Sequence, residues 1–190
     1  FYRFGLIIDF FRGTDFYGAQ KNHPSNPEYI GYSTACYPGL FVNIFKILAK
    51  DKITGVIDIG SGKGLVMYNL KKSGIKKIGG VELQEDLVQV CQNNFEKLNL
   101  QYDLLWCGDV QSFKLYQGFN TLFMYNPLPE SVFQITLENF VANKSDDISH
   151  KYVIYVNPVC HQLCLDKGFQ EIGRFFHFAT HDDVVVYQLG

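Results

Sequence analysis

Apolar positions recur along this chain in two different periods, and the change from one to the other separates helices from strands. Between residues 37 and 50 they fall at Leu40, Phe41, Ile44, Phe45, Ile47 and Leu48. That spacing predicts an amphipathic helix, and Pro38 suits its first turn. From Val56 onward, short apolar runs alternate with helical stretches. Strands are predicted at 56–59, 77–82, 102–107, 121–125 and 152–156, and helices at 64–72, 85–98 and 130–142. Two more strands, near 169–178 and 184–189, follow with no helical pattern between them. Alternation closed by a strand pair predicts an α/β fold, with a mostly parallel sheet and an antiparallel C-terminal pair. Residues 1–50, turn-rich at 13–15 and 18–27, form a lid-like N-terminal extension to a domain spanning 51–190.

Composition narrows the class. At 190 residues the chain is long enough for one well-buried domain, and its 47% apolar content argues against disorder. The 17 Phe and 12 Tyr are read first as core mass and second as pocket wall. Net charge is −2, and the pairs Lys71-Lys72 and Lys76-Lys77 make no basic face, so a long nucleic acid is not favoured as partner. No apolar run approaches membrane-spanning length, and the hydrophobic opening is broken by Arg3 and Asp9 without a signal-cleavage pattern. Five scattered cysteines fit reduced thiols and a cytoplasmic location. Cys160-His161-x-x-Cys164 lacks a second ligand pair, so no metal site is expected.

The segment Val56-Ile57-Asp58-Ile59-Gly60-Ser61-Gly62-Lys63-Gly64 runs a buried strand into a loop with glycine at alternate positions, and the next strand ends at Glu82. Such glycines let the backbone turn tightly and approach a ligand, and an acid at that strand end can accept both hydroxyls of a ribose. The spacing Gly-x-Gly-x-Gly differs from the Gly-x-Gly-x-x-Gly of a dinucleotide pyrophosphate site, which disfavours an NAD-dependent oxidoreductase. The segment resembles motif I of the class I S-adenosylmethionine-dependent methyltransferases, and the resemblance spans about residues 55–189. It implies a Rossmann-like sheet with helices on both faces and S-adenosyl-L-methionine as cofactor. It further implies that Asp58 organises the methionine end of the cofactor, that Gly60, Ser61, Gly62 and Gly64 form its loop, and that Glu82, followed by Leu83, takes the ribose. Asp109 would meet the adenine amino group, Val110 would pack on the ring, and Tyr37, after Tyr32-Ser33-Thr34, falls in a segment folded over the cofactor. From the residues alone, Asp58 also reads as a loop-stabilising carboxylate, and Asp109 after Gly108 as an ordinary turn or cap.

Tyr125-Asn126-Pro127-Leu128-Pro129 resembles motif IV of methyltransferases acting on amino or amide nitrogens. The resemblance implies that the Asn126 side chain and the Pro127 carbonyl accept hydrogen bonds from the target nitrogen, aiming its lone pair at the methyl group. The acceptor is then an amine or amide of a protein or small molecule. Leu128 and Pro129 stand where that motif carries Pro and an aromatic residue, which leaves a catalytically silent, cofactor-binding partner subunit as the alternative. Asn157-Pro158 repeats the dipeptide after the fifth strand. His161, His177 and His181 have no partner at telling spacing and receive no catalytic role.

Overall fold

Val56–Ile59 (β1) is buried at every residue, as a central strand covered on both faces must be. It leads into α3 (Leu65–Lys72), β2 (Ile78–Glu82), α4 (Glu85–Lys97) and β3 (Leu104–Cys107). The chain continues through β4 (Thr121–Tyr125), α5 (Glu130–Ala142), β5 (Lys151–Val156), α6 (His161–Asp166), β6 (Gln170–His177) and β7 (Asp182–Leu189). Two helices, α1 (Tyr2–Arg12) and α2 (Leu40–Ile47), precede the sheet. The structure is a computed structural model and describes residues 2–18, 39–125, 128–143, 150–178 and 181–190.

Among the described residues the strands form one sheet in the order β3-β2-β1-β4-β5-β7-β6. The first five are parallel, and β7 runs antiparallel between β5 and β6. One face packs on α2, α3 and α4 through Leu40, Ile44, Met67, Leu70 and Phe95. The other packs on α5 and α6 through Phe133, Leu137, Phe140 and Cys164. The expected Rossmann-like α/β architecture, with helices on both faces and an antiparallel C-terminal pair, is therefore present. The registers bring the C-terminal ends of all five parallel strands to one edge, where ligands bind in open α/β sheets.

Two helices differ from expectation. The opening segment is α1, yet it buries Gly5 and Asp9 while exposing Phe4, Phe10 and Phe11. That inverts the usual apolar-inward pattern, so hydrophobic periodicity does not reveal it. The six-residue α6 is too short for a periodic signal. The helix predicted from residue 37 begins at Leu40, and Tyr37 and Pro38 lie outside the described residues.

Candidate active site

The glycine loop follows β1 directly. Gly60, Gly62 and Gly64 adopt φ of 75°, 52° and 84°, the left-handed region that glycine alone enters without a Cβ penalty. Gly60 and Ser61 both donate their N–H to Val81 O, at 2.9 and 3.0 Å, which staples the loop to β2. Gly64 also permits close packing on α4, because a Cβ there would sit 2.5 Å from Cys91 Sγ.

Two carboxylates stand at the base of this loop. Glu82, 7% exposed, accepts the Gly62 N–H at 2.8 Å through one oxygen and the Gln84 N–H at 2.9 Å through the other. A carboxylate has about four acceptor positions, so acceptor capacity remains for two ligand hydroxyls. Burial raises its pKa, while the N–H groups of Gln84, Gly62 and Leu83 oppose the rise. Asp58 is 3% exposed, and its pKa is raised well above the ordinary range, first by burial and then by the negative charge of Glu82.

Asp58 Oδ2 and Ser61 Oγ are fully buried and have no hydrogen-bond partner among the described residues. A native interior rarely leaves such atoms unpaired, because each costs about 1–3 kcal/mol. Asp58 belongs to β1 and Ser61 to the loop that follows it directly, three residues on. Leu83 is half-buried on the same edge.

Asp109 caps the short turn 110–112, accepting the Gln111 N–H at 2.9 Å and its side-chain amide at 3.2 Å. Both oxygens are thus engaged within the turn, and Val110 belongs to the core on the α5 face. The structure brings Asp58, Gly60, Ser61, Gly62, Gly64, Glu82 and Leu83 together. Asp109 and Val110 lie one strand further along the same edge. Asn126, Pro127 and Tyr37 lie outside the described residues. The described part of that second motif shows Leu128 only 7% exposed and packed in the core.

At the far end of the edge, sequence reasoning named Asn157-Pro158, His161 and His181 but missed the charged residues Arg174, Asp182 and Asp183. A cleft of about 440 Å³ opens there, lined by Asn157, His161, Arg174, Phe176, Asp182 and Asp183. The Tyr125 hydroxyl donates to Asp182, linking the end of β4 to the start of β7. Arg174 is shared between Glu171 and Asp183, at 2.9 and 3.2 Å, so the charged lining is net acidic. His161 Nδ1 lies 2.6 Å from the Tyr187 hydroxyl. The available signals were the repeated Asn157-Pro158 dipeptide and the acidic pair Asp182-Asp183 ahead of an apolar run.

No family model and no curated protein matches the chain. Solved structures do. An S-adenosylmethionine-dependent methyltransferase from Aquifex aeolicus aligns at a TM-score of 0.62 and 15% identity, over 79% of this chain and 89% of that one. A ribosomal-protein methylase from Lactobacillus delbrueckii subsp. bulgaricus aligns at 0.56 and 15%, over 77% and 74%. A mutant of MtNAS in complex with S-adenosylmethionine aligns at 0.59 and 16%, over 78% and 60%. The chain has the Rossmann-like fold of the S-adenosylmethionine-dependent methyltransferases.

Proposed function

We propose that this protein is an S-adenosylmethionine-dependent methyltransferase acting on an amine or amide nitrogen of a protein or small molecule. The observation that carries the proposal is the pair of orphaned buried atoms, Asp58 Oδ2 and Ser61 Oγ, beside a glycine loop whose base is Glu82. This donor and acceptor set fits the cofactor. Asp58 and Ser61 supply acceptors for its ammonium, and Glu82 supplies acceptors for its ribose hydroxyls. When bound, the cofactor supplies a sulfonium methyl group, which is electrophilic and has a good leaving group.

The chain's own residues then have to position the acceptor. In this reading Asn126 and the Pro127 carbonyl accept the hydrogens of the target nitrogen and leave its lone pair directed at the methyl. The acidic cleft supports an amine. Asp182 and Asp183 face one cation, Arg174, which is already shared with Glu171. At about 4.8 Å per strand, β7 lies three spacings, roughly 14 Å, from β1. The cleft would then hold the portion of the acceptor remote from the reacting nitrogen.

Leu128 favours a second reading. It is buried in the core where the resembling motif carries its second proline, and Pro129 stands at the position of the acceptor-stacking aromatic, which supports a silent partner subunit. Transfer of labelled methyl from S-adenosylmethionine to amine-bearing peptides and small molecules separates the two. The methyltransferase shows turnover that Asn126→Ala abolishes while S-adenosylhomocysteine still binds. A silent subunit shows binding and no turnover in either form.

A further inference from the structure

Lys63 stands between Gly62 and Gly64, and its side chain is only 3% exposed. Lysine is rarely buried to this extent unless its ammonium is fully partnered. Here Nζ donates to Asp15 Oδ1 and to Gly18 O, both at 2.8 Å. Asp15 in turn donates its N–H to Asn94 Oδ1 at 2.7 Å, and Asn94 Nδ2 donates to Lys63 O at 3.1 Å. The bonds close a ring through three separate segments: residues 13–18, the glycine loop and α4.

The 13–18 segment is built as a hook. Gly13 and Thr14 end α1 with bonds back to Phe10 O and Asp9 O. The Asp9 carboxylate accepts the Thr14 hydroxyl and the Tyr17 N–H, each at 2.7 Å. Phe16, 2% exposed, packs on Tyr68 of α3 with ring centroids 5.2 Å apart. At the tip, a Cβ on Gly18 would lie 2.1 Å from Asp15 Oδ1, so a side chain there would break the ring.

We propose that Lys63 is a positioning residue that fastens this hook to the glycine loop, so that hook docking and cofactor binding are coupled. The proposal rests on the S-adenosylmethionine reading above. A loop of alternating glycines loses much conformational freedom when it orders around a ligand. Glu82 restrains it on one side at Gly62, and Lys63, fixed by the hook, restrains it on the other. The loop is therefore ordered before the ligand arrives, and the ordering cost no longer subtracts from affinity. Linkage requires the converse as well: a ligand that favours the ordered loop must hold the hook closed.

The test compares the wild type with Asp15→Asn and Lys63→Met. S-adenosylhomocysteine affinity is measured by calorimetry, and hook opening by tryptic cleavage after Arg12, with and without saturating ligand. Each variant is expected to bind about tenfold more weakly, and ligand is expected to slow wild-type cleavage by a similar factor. Asp15 is half-exposed, so its variant keeps the test decisive if Lys63→Met does not fold. Faster cleavage in the variants with unchanged affinity makes the hook purely structural and overturns the coupling. A wild type that binds no S-adenosylhomocysteine overturns the cofactor reading, and the coupling with it.

Discussion

Glu82 accepts the Gly62 N–H at 2.8 Å across the sheet edge, so the acid ending β2 holds the loop that follows β1. The same residue thus shapes the loop and, in the proposed reading, would supply acceptors to the bound cofactor. Glu82→Ala is expected to weaken S-adenosylhomocysteine binding by roughly 10- to 100-fold, the loss of one or two charge-assisted bonds. The change in melting temperature should be small, because the cost of burying the carboxylate is removed with it. Calorimetry and a thermal melt on one sample measure both, and unchanged affinity would remove Glu82 from the site.

Asp58 carries the opposite balance. Its Oδ2 has no partner among the described residues, so the free protein bears a desolvated, unpaired carboxyl group. Asp58→Asn is expected to stabilise the free protein by about 1 kcal/mol and to weaken S-adenosylhomocysteine binding at least tenfold. A variant that is less stable and binds normally would mark Asp58 as a structural support of the loop.

The raised pKa values of Asp58 and Glu82 set a pH dependence of stability. Each acid holds its proton in the folded state at a pH where the unfolded chain has released it. Their contribution is full below the unfolded carboxylate range and is lost as pH rises through the folded values. Urea unfolding of the free protein from about pH 4 to pH 7 is expected to show this loss, and Asp58→Asn to flatten the profile. Superimposable profiles would contradict the burial of an ionisable Asp58.

Tyr125 donates to Asp182 and so fastens the strand leading to Asn126 onto the C-terminal hairpin. Tyr125→Phe is expected to cost about 1 kcal/mol and to speed amide exchange at the start of β7. Once an acceptor is found, its KM should rise while S-adenosylhomocysteine affinity holds. A change in cofactor affinity instead would place Tyr125 at the other end of the edge.

The sheet was legible because its signals are local. Each parallel strand is a short apolar run, and α5 and β4 begin and end where periodicity places them. The glycine loop and its two carboxylates were legible for the same reason, since Asp58, the glycines and Glu82 sit in adjacent segments. What escaped depends on distant contacts. The Lys63–Asp15 pair spans 48 residues, and the Tyr125–Asp182 bond spans 57. Neither separation leaves a periodic trace. In α1 the buried face is a glycine and an aspartate, and only Tyr17 and Thr14, packed or bonded against them, explain why.

The central claim is that the loop between β1 and α3 holds S-adenosylmethionine, and parallel calorimetric titrations with S-adenosylmethionine, S-adenosylhomocysteine and NAD test it most directly. The account predicts saturable binding of the first two, strongly weakened by Glu82→Ala, and none of NAD. Binding of NAD alone, or of none of the three, would contradict it and leave the methyltransferase fold without its cofactor.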